Sequence, residues 1–412
     1  MQVELVTIGT ELLLGFTVDT NSAYLGQALG AVGVTVARRT AVADRPEAIR
    51  AAVEEALQRT GAVITTGGLG PTRDDMSKKV VAGLFGWPLR FDEGVWAELA
   101  ARWRRMGREL SAANRCQAEV PEGAVVLPNQ WGTAPGLWLE GPRGLVVMLP
   151  GVPREMRKLA EHEVVPRLQA RAGELVIRSA VVRTTGIPES SLAARVGPHE
   201  DELAPLSLAY LPGTTGVDLR LTAWNLPPAE ANRLLGAGME RLRALAGDHA
   251  YGTGEDDLAA VTLATLRGQG MTLALAESCT GGMLGERLTA IPGSSDVLVG
   301  GVIAYDNAVK TRQLDVDPAV LAGHGAVSLE VVRAMAAGAQ ARFGTTAAVA
   351  ITGVAGPDGG SEEKPVGTVC FGWIARNQSE AARVVFPGNR REIRERACQY
   401  ALHRLWLMSR ES

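Results

Sequence analysis

Short apolar segments that read as buried strands alternate with helical segments over much of this 412-residue chain. In the first 168 residues, strand patterns at 3–8, 35–42 and 62–65 alternate with helical patterns at 21–31 and 46–58. This order predicts βαβ units, and therefore a largely parallel sheet covered by helices on both faces. Ligands of such sheets bind beyond the carboxyl ends of the strands, so we expect functional residues in the turns that follow strands.

A different pattern occupies the middle of the chain. Strand patterns followed by a single helix predict a small α+β connector domain over residues 173–246. The polar, glycine-rich stretch 247–257 has the composition of a linker. A second run of alternating strands and helices follows it. The predicted fold class is therefore α/β, with two α/β domains, residues 1–168 and 256–412, joined by the small α+β domain.

Composition argues against several classes of function. The net charge of −3 gives no general attraction to nucleic acid, and no apolar run approaches the ~20 residues needed to cross a bilayer. Residues 1–5 lack the features of a signal peptide. Four widely spaced cysteines suggest reduced thiols, and five histidines show no zinc-binding spacing. We therefore expect a cytoplasmic protein without a nucleic-acid or membrane partner.

The segment Ala-Glu-Ser-Cys-Thr-Gly-Gly at 276–282 joins an apolar strand to a helix. A hydroxyl at such an elbow lies beside the backbone N–H groups of the helix start, which can stabilise an oxyanion. Ser278 is therefore a candidate nucleophile. Two alternatives stay open: Ser278 can serve only as a helix N-cap, or Cys279 can be the nucleophile, because a helix N-terminus favours a thiolate. A cysteine nucleophile normally needs a histidine partner, and no histidine neighbours these motifs.

Lys310 is the candidate general base for Ser278. A lysine that is partly desolvated in a pocket can be neutral and accept a proton. Tyr305 lies five residues earlier, near the same strand exit, and could relay the proton between Ser278 and Lys310. The alternative is that Lys310 is solvated and that Tyr305 only contributes to packing.

A second candidate site follows the strand at 62–65. Residues 66–72 supply glycines and hydroxyls suited to phosphate oxygens. Asp74 and Asp75 come directly afterwards, and Glu11 could join them from a neighbouring strand end. Such carboxylates suit Mg²⁺, which shares oxygen ligands with substrate phosphates. The alternative is that Asp74 and Asp75 only begin the next helix, where acidic residues favour the dipole.

Eight motifs occur in the order found in one known family, and together they cover nearly the whole chain. They lie at residues 7–15, 19–22, 65–75, 132–136, 276–282, 300–310, 350–357 and 364–369. On these motifs the chain resembles the competence- and damage-inducible family called CinA. The resemblance implies an N-terminal domain with the molybdopterin-binding fold and metal-dependent ADP-ribose pyrophosphatase activity. It implies a C-terminal domain that is a nicotinamide mononucleotide amidohydrolase.

The expected site residues follow from the motifs and the resemblance together. The expected catalytic residues of the amidase are Ser278, Tyr305, Lys310 and Thr352. The expected substrate-binding residues are Gly281, Gly282, Gly353, Gly9, Thr10, Asn21, Thr66, Gly67, Gly68, Gly70, Pro71, Thr72 and Thr133. Glu11, Asp74 and Asp75 are the expected ligands of a divalent cation, Mg²⁺ being the preferred one, and the C-terminal site needs no cofactor.

The resulting hypothesis is a bifunctional enzyme of pyridine nucleotide salvage. It converts nicotinamide mononucleotide to nicotinate mononucleotide and ammonia, and ADP-ribose to AMP and ribose 5-phosphate; the family resemblance suggests a homodimer. Two alternatives remain: a pterin-binding domain fused to an amidase, and a non-catalytic interaction protein of DNA uptake or repair. The arginine-rich face of the last helix, which opens at Asn389, is interpreted as a solvated face.

Overall fold

The computed structural model describes residues 1–72, 74–107, 110–376 and 378–410. Arg73, which belongs to one of the family motifs, lies outside the described residues. The chain divides into two compact units. One contains Met1–Arg178 with Ala223–Leu234, and the other contains Ser179–Thr222 with Leu235–Ser412. Among the described helices, none is both long enough and apolar enough to span a membrane.

The N-terminal domain is built on a six-stranded sheet of order β2-β1-β3-β8-β7-β6. The strands are β1 (Gln2–Ile8), β2 (Thr35–Val42), β3 (Ala62–Thr66), β4 (Leu89–Phe91), β5 (Glu119–Pro121), β6 (Val125–Leu127), β7 (Gly136–Gly141) and β8 (Gly144–Leu149), of which β4 and β5 form a separate pair. The helices are α1 (Thr10–Leu13), α2 (Thr20–Gly30), α3 (Pro46–Thr60), α4 (Ser77–Phe85), α5 (Glu93–Arg105), α6 (Pro153–Leu159) and α7 (Val165–Gln169).

The sheet is parallel across β2, β1, β3 and β8, as the strand–helix alternation predicts. The strands β7 and β6 are antiparallel additions at one side. Both faces of the sheet are buried. Leu5 of β1 packs into one apolar cluster and Val6 into the other, because successive side chains of a strand point to opposite faces.

The connector sheet has the order β10-β11-β9-β12. Its strands are β9 (Val176–Thr184), β10 (Ser207–Pro212), β11 (Val217–Leu226) and β12 (Ala250–Thr253), with helices α8 (Glu189–Val196) and α9 (Pro228–Ala246). The interpretation of residues 247–257 as a linker is wrong for its central part. Strand β12 pairs antiparallel with β9, because its backbone completes the sheet edge despite a glycine-rich, polar sequence.

The C-terminal domain has a five-stranded sheet of order β14-β13-β15-β16-β17. The strands are β13 (Leu273–Glu277), β14 (Leu298–Ile303), β15 (Ala347–Gly353), β16 (Thr368–Ala375) and β17 (Gln378–Val385). The helices are α10 (Leu258–Gly268), α11 (Met283–Thr289), α12 (Asn307–Leu314), α13 (Pro318–His324), α14 (Leu329–Phe343) and α15 (Arg390–Arg410).

The first three strands of this sheet in spatial order are parallel, and β16 and β17 are antiparallel. Helices α10 and α15 cover one face, where Leu275 is buried with Leu402. Helix α14 covers the other face, where Ala276 is buried with Met335. The parallel strands β13 and β14 therefore end at the same edge, and the turns after them can bring their polar residues together.

Candidate active sites

Ser278 lies at a tight turn directly after β13. Its backbone N–H donates to the carbonyl of Ile351 at 2.9 Å, which ties the turn to strand β15. Gly281 and Gly282 adopt φ angles of 57° and 92°, a left-handed conformation that favours glycine. Helix α11 then begins at Met283 with Gly282 as its N-cap. Ser278 is therefore not the N-cap of this helix, and the capping interpretation of Ser278 is wrong.

The buried amine of Lys310 contacts the hydroxyl of Ser278 directly. The Nζ of Lys310 donates to Ser278 Oγ at 3.2 Å, to the carbonyl of Ala304 at 2.8 Å and to that of Tyr305 at 3.4 Å. Lys310 is 1% exposed and Ser278 is 8% exposed. All three partners are uncharged oxygens, so burial dominates and lowers the pKa of Lys310 from its ordinary value, while Asp306 opposes this shift. A neutral amine at this position can accept the proton of Ser278.

Tyr305 does not stand between Ser278 and Lys310. Its side chain is 61% exposed, and its hydroxyl accepts a hydrogen bond from Nη2 of Arg390 at 3.0 Å. Only its backbone carbonyl contacts Lys310. The expected proton relay through Tyr305 is therefore wrong, because Lys310 contacts Ser278 directly. The phenol of Tyr305 lies at the rim of the site.

Thr352 and Gly353 end strand β15 beside the elbow. The hydroxyl of Thr352 is buried and donates to the carbonyl of Ala326 at 2.9 Å, so its proton is already committed. A side chain at Gly353 would meet the carbonyl oxygen of Thr368 at 2.7 Å. The structure thus gives Gly353 a packing reason to be glycine. It leaves Thr352 able to accept a hydrogen bond but not to donate a second one.

Glu277 is a further residue of this site that the sequence motifs did not indicate. Its buried carboxylate accepts hydrogen bonds from the backbone N–H groups of Gly282 at 3.0 Å, Leu284 at 3.1 Å and Gly285 at 2.8 Å. These are the N–H groups that we expected to stabilise an oxyanion, so that part of the expectation is wrong. Glu277 fixes the start of α11 instead, as a capping carboxylate does. The feature of the sequence that could have indicated this role is the position of Glu277 directly before the candidate nucleophile.

Two arginines of α15 also reach the catalytic turns. Arg390 donates through Nη1 to the carbonyl of Gly356 at 2.6 Å, in addition to its contact with Tyr305. Arg394, one helical turn later, donates through Nη2 to the carbonyl of Thr280 at 2.5 Å. The interpretation of the arginines of this helix as a solvated face is therefore wrong for these two residues. Their spacing of four was the only signal in the sequence.

Cys279 is a poor nucleophile in this environment. The thiol is 6% exposed, and burial raises its pKa to about 12. Because the thiolate is the reactive form, the structure favours Ser278 over its neighbour.

The expected N-terminal site lies at one edge of the six-stranded sheet. Thr7 pairs with Thr66, and Thr66 pairs with Leu149, so the turns after β1, β3 and β8 lie side by side. Gly67 has a φ of 103° and Gly68 a φ of 69°. A side chain at Gly67 would overlap the carbonyl of Ile8, and one at Gly68 would overlap the hydroxyl of Ser77. Both glycines are therefore required by the close packing of this edge.

The polar residues of this edge form three sets of hydrogen bonds. Thr72 donates through its backbone N–H and its hydroxyl to Asp75 Oδ2, at 2.8 and 2.5 Å. Thr10 donates in the same way to Asp44, a residue outside the expected site, at 2.8 and 3.0 Å. Asn21 donates to the carbonyl of Gly151 at 2.8 Å.

The remaining expected residues lie around these contacts. A side chain at Gly70 would meet Asp75 Oδ2 at 2.5 Å, and one at Gly9 would overlap the carboxylate of Glu11. Thr133 precedes β7, which runs antiparallel to β8, and therefore lies at the same edge. Its hydroxyl accepts from Gln117 at 3.5 Å.

The three expected metal ligands do not form a preassembled cage. Among the described residues, no group of three or more His, Cys, Asp or Glu side chains could hold a metal ion. Asp74 and Asp75 also lie before α4, whose first turn contains no acidic residue, so they do not simply begin that helix. Mg²⁺ commonly takes one or two carboxylates and completes its shell with water and substrate phosphates. The oxygen atoms at this edge are suited to a Mg²⁺ ion that binds together with the phosphates of a substrate.

Orphaned oxygens at this edge also fit a polar ligand. Within the described chain, Asn21 Oδ1, Thr65 Oγ1 and Ser77 Oγ are buried and have no hydrogen-bond partner. Buried polar atoms are normally satisfied, so unpaired ones beside a glycine-rich turn indicate a place where a ligand or water supplies the missing bonds.

Comparison with known proteins defines the class of each domain. Residues 4–170 match the family model described as "Probable molybdopterin binding domain", residues 179–252 match "Damage-inducible protein CinA KH domain", and residues 255–408 match "CinA C-terminal domain". The protein is therefore a multidomain α/β chain that joins a molybdopterin-binding-like domain to a CinA domain.

Whole-chain relatives show the family. A CinA-like protein of Gemmatimonas aurantiaca is 54% identical over 409 residues, covering 98% of this chain and 96% of the relative. A CinA-like protein of Salinibacter ruber is 43% identical over 392 residues, covering 95% of both. The crystal structure of competence/damage inducible protein CihA from Agrobacterium tumefaciens is 39% identical, covering 37% of this chain and 93% of that chain, with a TM-score of 0.36. The two whole-chain relatives show that the chain belongs to the CinA family.

Proposed function

We propose that this protein is a hydrolase with two activities. Its C-terminal domain hydrolyses the amide of nicotinamide mononucleotide, and its N-terminal domain cleaves the pyrophosphate of ADP-ribose. The observation that carries the first activity is the contact between Lys310 and Ser278, because it places a desolvated amine against a buried hydroxyl. Serine nucleophiles need an adjacent base, and a lysine whose pKa is lowered by burial can act as one.

The proposed amide hydrolysis proceeds in two halves. Ser278 Oγ attacks the amide carbonyl carbon of the substrate while its proton passes to neutral Lys310 Nζ. The tetrahedral intermediate then collapses, the C–N bond breaks, and Lys310 returns the proton so that ammonia leaves. Water then attacks the ester carbonyl carbon while Lys310 again accepts a proton. The C–Oγ bond breaks as Lys310 returns this proton to Ser278 Oγ, and the product acid leaves as the nicotinate carboxylate with its proton released to solvent.

Substrate recognition is assigned to the rim of the site. Arg390 is an exposed cation beside the phenol of Tyr305, and its guanidinium is suited to a phosphate group. The nucleotide phosphate is therefore placed at Arg390, with Tyr305 beside the ribose or the pyridine ring. This placement leaves the carboxamide to reach inward to Ser278.

The test of the amidase is ammonia release from a panel of amides. Nicotinamide mononucleotide should be hydrolysed faster than nicotinamide riboside, which lacks the phosphate, and faster than free nicotinamide. Asparagine and glutamine should be inert. If none of the nicotinamide compounds releases ammonia, the amidase proposal is wrong.

The proposed pyrophosphatase activity is supported by the sheet edge at Gly67 and Gly68. The unpaired oxygens of Asn21, Thr65 and Ser77 can bond to the substrate, within the part of the chain that is described. One or two of the carboxylates of Asp74, Asp75 and Glu11 would hold the divalent cation together with the substrate phosphates, and the cation would neutralise phosphate charge and lower the pKa of a bound water. AMP release from ADP-ribose, measured with and without Mg²⁺, tests this half of the proposal.

The match of residues 4–170 to a molybdopterin-binding model favours a second candidate for this domain. A pterin ligand would use the same edge without being cleaved. Tight binding of a molybdopterin precursor together with no AMP release from ADP-ribose would support that alternative. The proposal as a whole keeps small nucleotides as the substrates, expects neither nucleic acid nor membrane as partner, and expects a cytoplasmic homodimer.

A further inference from the structure

We infer that a pocket behind the catalytic elbow binds a small phosphate-bearing anion and thereby lowers amidase turnover. This pocket, the arginine pocket, has a volume of about 550 Å³. Its lining includes Thr215, Arg287, Arg391, Arg394, Glu395 and Cys398. The volume falls within the range of ~300–1,000 Å³ typical of small-molecule sites. None of Ser278, Tyr305 and Lys310 belongs to the lining.

The charge of the arginine pocket suits an anion. Three arginines face two glutamates, Glu286 and Glu395, in its lining. Arg287 is already paired with Asp257 at 3.2 Å, so Arg391 and Arg394 are the arginines that can turn to an anion. Arg391 pairs with Glu395 at 2.8 Å, but the Arg391 side chain is 84% exposed, and such surface pairs contribute little free energy. A phosphate group that accepts two parallel hydrogen bonds from a guanidinium can therefore replace the carboxylate.

Arg394 connects this pocket to the catalytic elbow. Its Nη2 donates to the carbonyl of Thr280, while its Nε is buried and has no hydrogen-bond partner within the described residues. An unsatisfied buried donor of a charged group is costly. An anion in the pocket offers new acceptors to this guanidinium, so it favours a rotamer that turns away from Thr280.

The elbow depends on the position of Thr280. Thr280 is two residues after Ser278, and the N–H of Gly281 donates to the carbonyl of Ser278 at 3.0 Å. Loss of the Arg394 contact loosens this turn and with it the alignment of Ser278. An anion in this pocket would favour the turned-away arrangement of Arg394 without occupying the substrate site, so its binding there should lower kcat.

The kinetic test uses the full chain, with inorganic phosphate as the probe and chloride at equal ionic strength as the reference. This test rests on the proposed amidase activity. Phosphate should lower kcat for nicotinamide mononucleotide several-fold in the wild-type protein, and any rise in KM from competition at Arg390 should be the same in the wild type, in Arg391→Glu and in Arg312→Glu. Arg391→Glu should keep wild-type turnover in chloride and lose the phosphate effect. Arg312→Glu, the same charge change at an exposed arginine of α12, should keep the phosphate effect. A rise in KM at constant kcat, equal in all three proteins, would show simple competition at the substrate site and overturn the inference.

A binding measurement separates this inference from the amidase proposal. In equilibrium dialysis with radiolabelled phosphate, Arg391→Glu should bind about one phosphate fewer per chain than Arg312→Glu. Thr215→Tyr, which fills the pocket from the turn between β10 and β11, should show the same loss. Equal binding by all variants contradicts the arginine pocket even if the protein releases no ammonia. A loss confined to Arg391→Glu and Thr215→Tyr supports the pocket even if the amidase proposal fails.

Discussion

The Nζ of Lys310 lies 3.2 Å from the Oγ of Ser278, and both side chains are buried. The two residues are 32 positions apart, and the parallel strands β13 and β14 bring the turns that carry them to one sheet edge. Because the other two partners of Lys310 are backbone carbonyls, no anion stabilises its charged form through these hydrogen bonds. This pair can therefore exchange one proton without moving either backbone segment.

The first prediction concerns pH. Lys310 must be neutral to act as a base, and burial lowers its pKa, so kcat should rise with pH through one ionisation below the ordinary lysine value of ~10.4. Lys310→Arg should be nearly inactive at every pH between 6 and about 10, because a guanidinium stays protonated. The measurement is a pH–rate profile of ammonia release. A near-native arginine variant would show that the base lies elsewhere.

The second prediction concerns the carboxylate of Glu277. In the wild-type protein, both carboxylate oxygens of Glu277 accept hydrogen bonds from backbone N–H groups. In Glu277→Gln only one oxygen can accept, and the amide NH₂ faces N–H groups that also donate. We expect a loss of roughly 1–3 kcal/mol in the free energy of unfolding, together with a fall in kcat. Glu286→Gln, at an exposed glutamate of the same helix, is the matched control and should change neither. Unchanged urea unfolding of Glu277→Gln would contradict the role assigned to this residue.

The third prediction separates the phosphate contact from the chemistry. Arg390→Gln should raise KM for nicotinamide mononucleotide about ten-fold or more, as the loss of a charge-assisted hydrogen bond of ~1.5–3 kcal/mol implies. Its effect on nicotinamide riboside should be small, because that compound carries no phosphate. Arg312→Gln is the control for the loss of a charge. An equal loss on both substrates would place Arg390 in the chemical step or in folding.

The fourth prediction concerns the two sites. A chelator should abolish AMP release from ADP-ribose, and Mg²⁺ should restore it, while ammonia release should not change. Asp74→Asn should reproduce the effect of the chelator on the first activity only, since the carboxylate is proposed as a metal ligand. Loss of both activities in the chelator would overturn the assignment of the cation to the N-terminal site alone.

The sequence predicted the features that depend on local pattern. The strand ends, the glycine turn after Ser278 and the alternation of β1, β3 and their helices follow from periodicity and turn chemistry. Strand β12 was missed because pairing with β9, not its own polar sequence, makes it a strand. The antiparallel pairing of β7 with β8 was not predicted either, because βαβ units contain only parallel strands.

The site residues that could not be predicted from the sequence are those that reach the site through long-range contacts. Arg394 contacts Thr280 across 114 positions and Arg390 contacts Tyr305 across 85. In one dimension these side chains are indistinguishable from the exposed arginines of α15. Glu277 was overlooked for a different reason: a capping carboxylate normally lies just before its helix, whereas Glu277 is six positions before Met283 and caps α11 across the turn.

Ammonia release by Ser278→Ala tests the central claim most directly. With nicotinamide mononucleotide as the substrate, Ser278→Ala should lose several orders of magnitude in kcat, with an unchanged thermal unfolding transition. Cys279→Ala, the neighbouring residue, should retain most of the wild-type kcat. Substantial ammonia release by Ser278→Ala, or loss of activity in a folded Cys279→Ala alone, would contradict the account.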